Sequence, residues 1–467
     1  MAARHAETRT GGRPATTGTI TGNFALSVGM PDSRAPEGWR WTKLTDVARL
    51  ETGHTPSRRH PEYWGGDVPW IGIKDATANH GRTIHDTIQH TNELGISNSS
   101  ARILPANTVC LSRTASVGYV VVMGRPMATS QDFVNWVCAP ELDHRFLKYV
   151  LLSEQSAFLR FASGTTHQTI YFPEVKAFHI CLPSRAEQRA IGHVLQTLDD
   201  KIEVNRRMST TLEAMARALF KAWFVDFEPV RAKSEGRDPG LPPHLTDLFP
   251  ARLVETDHGE VPEGWNVSRI GNEVRVVGGS TPSTRNPAFW DGEINWATPK
   301  DLSSLEGPAL LETSRRITSA GLAKIGSGLL PVGTVLLSSR APIGYLAIAE
   351  IPVSVNQGFV AMVCEGRLSN VFAWLWTQAN MEAILQNANG STFQEISKSN
   401  FRPLPVIVPT DDVLEAFDGP VQSLHSRIVS CERETRTLAA LRDTLLPQLI
   451  SGDLRVKDAE TFLDRVL

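Results

Sequence analysis

The hydrophobic residues of this chain follow one pattern twice. Each copy begins with short apolar runs bounded by Gly, Pro and Asn, and continues into a long stretch with apolar residues at alternating three- and four-residue steps. Short bounded runs indicate strands and turns, whereas the three-and-four spacing is that of a helix with a coiled-coil seam. The pattern therefore predicts two β-rich domains, each followed by a helix of about forty residues.

Each long helix carries a single apolar stripe. The predicted seam of the first helix consists of Ile191, Leu195, Leu198, Ile202, Leu212 and Leu219, and that of the second consists of Phe417, Val421, Leu424, Ile428, Leu438 and Leu445. A lone stripe would stay in contact with water, so we expect the two seams to pack together as a coiled coil. An antiparallel pair is favoured because the two copies are then related by a local two-fold axis.

The two copies share one register. "PEGW" begins at Pro36 and again at Pro262, an offset of 226 residues. The same offset pairs "PEYWGGDVPW" with "PAFWDGEINW", "LSRTASVGY" with "LSSRAPIGY", and "GTTHQTI" with "GSTFQEI". A register kept over this length indicates an internal repeat.

The repeat predicts an α+β fold with two pseudo-symmetric β-rich domains separated by two long helices. The predicted segments are a disordered N-terminal tail (1–35), a first β-rich domain (36–184), a first helix (185–228), a linker (229–261), a second β-rich domain (262–410), a second helix (411–456) and a C-terminal tail (457–467). We expect Pro447 to bend or end the regular part of the second helix and Gly452 to stop it.

Composition changes this picture little. The chain has 41% hydrophobic and 21% charged residues, a formal net charge of −3, and five scattered cysteines that never form a Cys-x-x-Cys spacing. This favours a globular cytoplasmic protein with no membrane segment, disulfide framework or zinc site. A net charge of this sign does not itself predict nucleic-acid binding, which would need local positive surface or a partner.

Signatures of catalysis are weak. There is no Gly-x-x-x-x-Gly-Lys-Ser/Thr phosphate loop, and "NPAF" at Asn286 lacks the second proline of the loop with which amino-methyltransferases grip a flipped base. Glu174 and Lys176 have a spacing seen in nucleases, but the second copy does not repeat it. The five-residue spacing of His80, His85 and His90 fits no single helix or strand face, so we expect a solvated loop and no metal site.

The ordered set of motifs, present twice, resembles the specificity subunits of type I restriction-modification enzymes. It comprises "PEGW", a β-rich segment with "TPS", a "LSSRAPIGYLAI"-like run, "NQGF", a helix ending "LFKAWFVDFEP", and a final "LLPQLISGDLRV". The resemblance covers residues 36–456. It implies that the β-rich domains are target recognition domains that read a bipartite, asymmetric DNA sequence, and that the chain itself is non-catalytic.

The resemblance also implies the partners. These are double-stranded DNA, two modification subunits that dock on the helices, and restriction subunits, while S-adenosylmethionine, ATP and magnesium belong to those partners and no cofactor to this chain. The "FKAWFV" stretch predicts an exposed apolar partner-binding surface that leaves the isolated chain poorly soluble or weakly DNA-binding. That surface would consist of Phe220, Trp223, Phe224 and Phe227.

Polar and basic positions near strand ends and loops are the candidate DNA contacts. They are Lys74, Arg113, Thr114, His167 and Gln168 in the first domain, and Lys300, Ser338, Ser339, Arg340 and Gln394 in the second. Arg and Gln can pair with guanine or adenine edges, and Lys and Ser suit phosphates. The alternative for repeated polar residues, such as Gln131 with Gln357 and Asp75 with Asp301, is that they satisfy buried backbone groups.

Two other functions remain open at this point. A fused restriction-methylation enzyme or single-chain nuclease would act on DNA with S-adenosylmethionine, magnesium and ATP, which the missing motifs argue against. A protein-binding scaffold built from repeated domains would show no DNA affinity even with modification subunits added.

Overall fold

The chain forms two compact units in a computed structural model that describes residues 18–163, 168–390 and 394–459. One unit comprises residues 1–200 with 438–467, and the other comprises 201–437. Each unit contains one copy of the repeat together with a part of both long helices.

The described residues of the first unit form three sheets. The five-stranded sheet has the order Ala48–Thr52, Phe133–Cys138, Val109–Ser112, Val120–Met123 and Thr83–Ile84. The three-stranded sheet has the order Ala128–Thr129, Trp64–Ile71 and Gln89–Thr91, and the four-stranded sheet has the order Ile20–Thr21, Leu26–Val28, Phe178–Leu182 and Arg40–Lys43. Alternating buried side chains such as Cys110, Val121 and Phe133 fill the space beneath the first sheet.

Short helices connect these strands. They are Leu44–Val47, Ile73–Ala78, Glu93–Ser97, His144–Ser153, Phe158–Phe161 and Phe172–Lys176, with a 3-10 turn at Pro61–Tyr63. The longest, His144–Ser153, begins at Asp143, whose side chain accepts a hydrogen bond from the backbone of Arg145. Capping of this kind satisfies one of the free N–H groups at a helix start.

The prediction of a disordered tail over 1–35 is wrong for residues 18–35. Ile20–Thr21 and Leu26–Val28 form an antiparallel hairpin, and the second strand also pairs with Phe178–Leu182. The buried Glu154 accepts hydrogen bonds from the backbone N–H groups of Phe24 at 2.7 Å and Ala25 at 2.8 Å. A carboxylate far along the chain thus orders a segment that has no repeat partner; residues 1–17 lie outside the described residues.

The second unit repeats this plan. Its five-stranded sheet has the order Arg275–Val277, Phe359–Val363, Val335–Ser339, Ile343–Ala349 and Ala309–Leu310, and its three-stranded sheet has the order Arg315–Ile317, Trp290–Ala297 and Val353–Val355. Two further pairs are Leu253–Thr256 with Gly259–Pro262 and Asn266–Arg269 with Pro405–Val408. Its short helices are Glu228–Ser234, Pro243–Thr246, Ile270–Glu273, Pro299–Ser303, Ser319–Leu322, Asn370–Ala379, Met381–Gln386 and Lys398–Phe401, with a 3-10 turn at Pro287–Phe289.

Two long helices, Arg185–Phe224 and Asp411–Ser451, run through both units. In the second unit, Asn205 of the first long helix contacts Glu434 of the second, and Met208 contacts Cys431. Partner numbers fall on one helix as they rise on the other, so the helices run in opposite directions there. The second helix passes through Pro447 without ending, and Gly452 follows its last residue with a φ of +79°.

The aromatic residues at the end of the first long helix are core residues of the second unit. The ring of Phe224 lies 4.7 Å from that of Phe417, and the ring of Trp223 lies 4.9 Å from that of Phe249. Exposures are 3% for Phe220, 4% for Trp223, 6% for Phe224 and 5% for Phe227. The structure therefore contradicts the prediction that these residues form an exposed partner-binding surface: the apolar face is covered by the chain itself.

The predicted linker over 229–261 contributes to that cover. Val230 and Phe249 are buried in the same aromatic cluster, and the segment carries two short helices and a strand hairpin. Its Pro and Gly residues break it into short elements, but its apolar residues attach it to the unit.

Candidate nucleic-acid interface

One edge of the first unit's sheets gathers the predicted DNA-contact positions. Strand Val109–Ser112 ends beside the start of strand Phe133–Cys138, and the backbone N–H of Arg113 donates to the carbonyl of Asp132 at 2.8 Å. The carbonyl of Ile71, three residues before Lys74, accepts from the backbone of Ser130 at 3.0 Å. The structure thus brings Arg113 and the strand end just before Lys74 to one turn, residues 130–132, and Lys74 itself lies at the start of the helix Ile73–Ala78.

Arg113 is held in a defined position at this edge. Its Nη2 donates to the carbonyl of Gln131 at 3.2 Å, and its guanidinium lies 4.7 Å from the centre of the Phe172 ring. Burial lowers the pKa of Arg113 from its ordinary 12.5, and the group stays charged because an arginine is not deprotonated in proteins. It therefore presents a fixed, half-buried cation rather than a freely moving one.

Thr114 and Gln168 lie next to Arg113. The hydroxyl groups of Thr114 and Thr169 are 2.7 Å apart, and the two residues form an isolated bridge. Gln168, the neighbour of Thr169, is exposed. His167 lies outside the described residues, so its predicted contact stays a prediction.

The second unit repeats the edge with different side chains. Arg340 and Glu395 form the equivalent isolated bridge, and Nη1 of Arg340 lies 3.5 Å from Oε2 of Glu395. Arg340 keeps a side-chain exposure of 41%, and Lys300 and Gln394 are exposed as well. Where the first unit has a pair of hydroxyls, the second therefore has an ion pair that faces solvent.

Ser338 and Ser339 do not fit their predicted role. Both are buried, and the hydroxyl of Ser338 donates to the carbonyl of Pro342 and accepts from the backbone N–H of Tyr345, each at 2.8 Å. Ser112 makes the same pair of bonds, with Ser116 and Tyr119. The hydroxyl of the repeated serine, Ser112 or Ser338, is occupied in closing a turn, and Ser339 is withdrawn from solvent by its burial.

Other repeated polar residues also stabilise the fold. Asp75 accepts from the backbone N–H groups of Gly72 and Ile88, and Asp301 accepts in the same way from Thr298 and Ser314. Buried backbone donors need such partners. For this aspartate, satisfaction of buried backbone groups is therefore the correct interpretation.

A pair of tryptophans next to this edge was not predicted as part of a site. Trp64 and Trp70 meet edge-to-face at 5.1 Å, and Trp290 and Trp296 do so at 5.0 Å. In each unit an exposed guanidinium covers the first ring: Arg58 at 3.7 Å from Trp64, and Arg315 at 3.6 Å from Trp290. A contact of this kind contributes about 0.5–1 kcal/mol at an exposed site.

The backbone explains why the tryptophans meet. Each strand has a bulge after its first tryptophan, so that Trp64 and Val68 both oppose Thr91. The glycine in this bulge is required by close approach, because a Cβ at Gly66 would lie 2.4 Å from the side chain of Asn92. The motif "PEYWGGDVPW" contained this signal: the two tryptophans recur at the same spacing in both copies.

The five cysteines and the three spaced histidines, all among the described residues, give no sign of a reactive-thiol or metal site. Burial raises the pKa of Cys138, Cys181 and Cys364 to about 12, and Cys110 and Cys431 are buried, as expected of core thiols. Of the histidines, His80 is half-buried and its ring accepts from the backbone N–H of Val120, which corrects the prediction of a solvated loop at this residue. Across residues 18–163, 168–390 and 394–459 no group of His, Cys, Asp and Glu could hold a metal ion.

Two copies of one mixed fold, each with a polar loop edge that differs from the other, form a protein with two similar domains and different side chains at the candidate interface. The family model described as "Type I restriction modification DNA specificity domain" matches residues 36–214 and 262–425, so the chain belongs to this family. Its role is DNA sequence recognition, and the prediction of a non-catalytic specificity subunit is confirmed.

Known relatives match most of the chain. The MjaIX specificity subunit of Methanocaldococcus jannaschii is 27% identical over 91% of this chain and 95% of its own length. The HindI specificity subunit of Haemophilus influenzae is 27% identical over 62% of this chain and 72% of its own length. The crystal structure of a type I system S subunit from M. genitalium shares the fold, with a TM-score of 0.58 at 16% identity over 88% of this chain and 96% of that one.

None of the helices in the described part of the chain has the length and apolar character needed to cross a membrane.

Proposed function

We propose that this chain is the subunit of a type I restriction-modification complex that reads a bipartite, asymmetric DNA target and directs adenine methylation and restriction by partner subunits. Two modification subunits and the restriction subunits are its protein partners, and they carry S-adenosylmethionine, ATP and magnesium. The complex acts in the cytoplasm. Family membership gives the general role in DNA recognition. The differences between the two loop edges and the packing of the two long helices support the bipartite, asymmetric target.

One observation carries the bipartite target: the same fold edge holds different side chains in the two copies. Arg113 corresponds to Ser339, and Thr114 corresponds to Arg340, in one backbone setting. Base edges are read by side-chain hydrogen bonds whose donor and acceptor pattern selects the base. Two edges with different donors therefore read two different half-sites.

The long helices act in this proposal as the spacer between two target recognition domains, 36–184 and 262–410. They pack along their apolar seams as an antiparallel coiled coil, with buried residues such as Leu195, Leu198, Ile428 and Leu445 on the seam. A pair of packed helices has a fixed rise per residue, so the separation of the half-sites is constant.

The test is a methylome measurement on cells that carry this chain with its modification subunits. We expect methylated adenines only in one sequence with two specific parts separated by unspecified bases. Replacing residues 262–410 with the corresponding domain of a relative should change one part and leave the other. Methylation without a split sequence, or a change in both parts after the exchange, would contradict the proposal.

A further inference from the structure

The arginine that covers each tryptophan pair comes from a different position in the two copies. Arg58 lies in the loop before the strand Trp64–Ile71, and the residue at its place in the second copy is Thr284. Arg315 lies in the neighbouring strand, and the residue at its place in the first copy is Gln89. The repeat thus keeps a guanidinium over the same indole although it does not keep the residue.

Both guanidiniums are available to an anion. Arg58 and Arg315 are exposed, and among the described residues no carboxylate forms an ion pair with either. Stacking on an indole occupies one face of the guanidinium and leaves its N–H edge free, and it fixes the side chain in advance. In the first copy, Nη2 of Arg58 also donates to Oε1 of Gln89 at 2.7 Å, which orients the group further.

The stacked cation is tied to the edge that carries the predicted DNA contacts. The indole N–H of Trp70 donates to the carbonyl of His54 at 3.1 Å, in the loop that also carries Arg58. The hydroxyl of the next residue, Thr55, bonds the side chain of Gln131, whose carbonyl accepts from Arg113.

The second copy repeats these loop contacts, although its stacked arginine, Arg315, comes from the neighbouring strand. Trp296 donates to the carbonyl of Ser280 at 3.2 Å, and Thr281 bonds Gln357 at 2.7 Å. In both copies the loop next to the tryptophan pair is therefore fixed to the loop of the candidate interface.

We infer that Arg58 and Arg315 bind phosphate groups of the DNA backbone, one beside each half-site; this inference rests on the proposed function. The two half-sites differ in sequence, so a group that both copies retain must meet something common to both. The phosphate backbone is that common element, because phosphate contacts position a protein without reading sequence. The alternatives are a base contact and a purely structural cover for the tryptophan.

The test uses the full chain assembled with its modification subunits. The variants are Arg58→Met, Arg315→Met and the double variant, because methionine still covers an indole with apolar atoms but carries no charge. Arg58→Lys keeps the charge. Arg237→Met is the matched control, since Arg237 is an exposed arginine that pairs with Glu235 in the segment 229–261.

Affinity for the target duplex is measured as a function of salt concentration. Each methionine variant should lower the slope of log K against log salt by about 0.9, so that its deficit relative to wild type shrinks about 3.5-fold between about 50 and about 200 mM salt. The double variant should lose about twice that slope, and Arg58→Lys and Arg237→Met should retain it. The methylated sequence should be unchanged in every variant.

Other results would overturn the inference. A wild-type slope in both methionine variants would make the arginines a cover for tryptophan, and a changed base at one half-site would make them base contacts. Arg315→Met tests the inference independently in the second unit if Arg58→Met does not assemble, and near-ultraviolet circular dichroism reports whether the tryptophans keep their setting. Absence of sequence-specific methylation by the wild type would instead contradict the proposed function.

Discussion

Nη1 of Arg442 donates to Oδ1 of Asp199 at 2.9 Å, which joins the second long helix to the first within the first unit. Asp199 also accepts from Nζ of Lys148 at 3.0 Å and from the hydroxyl of Tyr149 at 2.6 Å. Lys148 is 1% exposed. Burial alone would raise the pKa of Asp199, but Lys148 and its other donors outweigh burial and hold that pKa below its ordinary value.

Asp199→Ala should destabilise the first unit strongly. Removing the carboxylate leaves the Lys148 ammonium buried without a counter-ion, a change that costs roughly 3–5 kcal/mol. Asp46→Ala is the control, because Asp46 is an exposed carboxylate of the same unit that lies outside this network. Thermal and urea denaturation should show a lower midpoint for the first variant alone, and equal midpoints would mean that the ion network contributes nothing.

Phe224→Ala should unfold the second unit rather than weaken a subunit interface. The ring is 6% exposed and packs against Phe417 and Phe372, and truncation of such a core ring costs about 3–5 kcal/mol. Val225→Ala, which changes a neighbour that is 47% exposed, should have little effect. If Phe224→Ala kept the denaturation midpoint but lost the modification subunits in pull-down, the aromatic surface would be a partner site after all.

Glu432→Gln should remove a pH dependence of stability. Burial raises the pKa of Glu432 from 4.5 to about 8, with Glu213, Glu350 and Glu306 adding to the effect. The folded state therefore holds a proton that the unfolded state releases, and the free energy of unfolding falls as the pH rises from 4.5 to about 8.

Urea denaturation at several pH values measures this slope. The Gln variant should have a flatter profile over this interval and should gain stability relative to wild type at its upper end. Glu434→Gln is not a suitable control, because Glu434 accepts a bond from the buried Asn205; Glu415→Gln changes an exposed carboxylate of the same helix and should leave the profile unchanged. Identical slopes for wild type and Glu432→Gln would show that Glu432 ionises normally.

Arg340→Ala should alter recognition of one half-site only. The side chain occupies the second unit's polar edge, and loss of a base contact costs roughly 1–3 kcal/mol. Arg269→Ala, an exposed arginine in a different sheet, is the control. Methylome sequencing should show one relaxed position in one half-site; relaxation of both half-sites, or of neither, would remove Arg340 from the set of reading residues.

Lengthening both long helices should widen the gap between half-sites. Seven residues inserted after Asp200 and seven after Thr437 preserve the seam and add about 10 Å of helix. At roughly 3.4 Å per base pair this corresponds to about three additional base pairs. Methylation should move to the same half-sites at the longer spacing, and methylation that continues at the original spacing would show that the helices do not set the distance.

The repeat register predicted much of the fold because the residues that recur in both copies are largely those that the fold buries. Strands such as Trp64–Ile71 and Trp290–Ala297 recur at the offset of 226, and so do the helices His144–Ser153 and Asn370–Ala379. The hairpin over residues 20–28 was missed because it has no repeat partner. Its order comes from Glu154, which no local pattern connects to it.

The candidate site was predicted only in part, for a related reason. Arg113 and Arg340 could be placed at the loop edge from strand ends alone, but the role of Ser338 depends on a turn that the serine itself closes. The exposed apolar face that "FKAWFV" indicated is covered by residues from several distant segments, among them Phe249, Phe372 and Phe417. Contacts between residues so far apart in the sequence are set by packing, and the periodicity of the hydrophobic residues does not predict them.

The different sequence positions of Arg58 and Arg315 have a consequence for the evolution of the two copies. When the two copies are aligned, Arg58 is matched with Thr284 and Arg315 with Gln89. Neither arginine is therefore conserved at its own position. As the copies diverged, the arginine came to occupy a different sequence position, but its guanidinium still covers the same indole. Positions 58 and 89, like 284 and 315, should therefore vary together among related chains. Selection would maintain a positive charge over the indole, whichever of the two positions provides it.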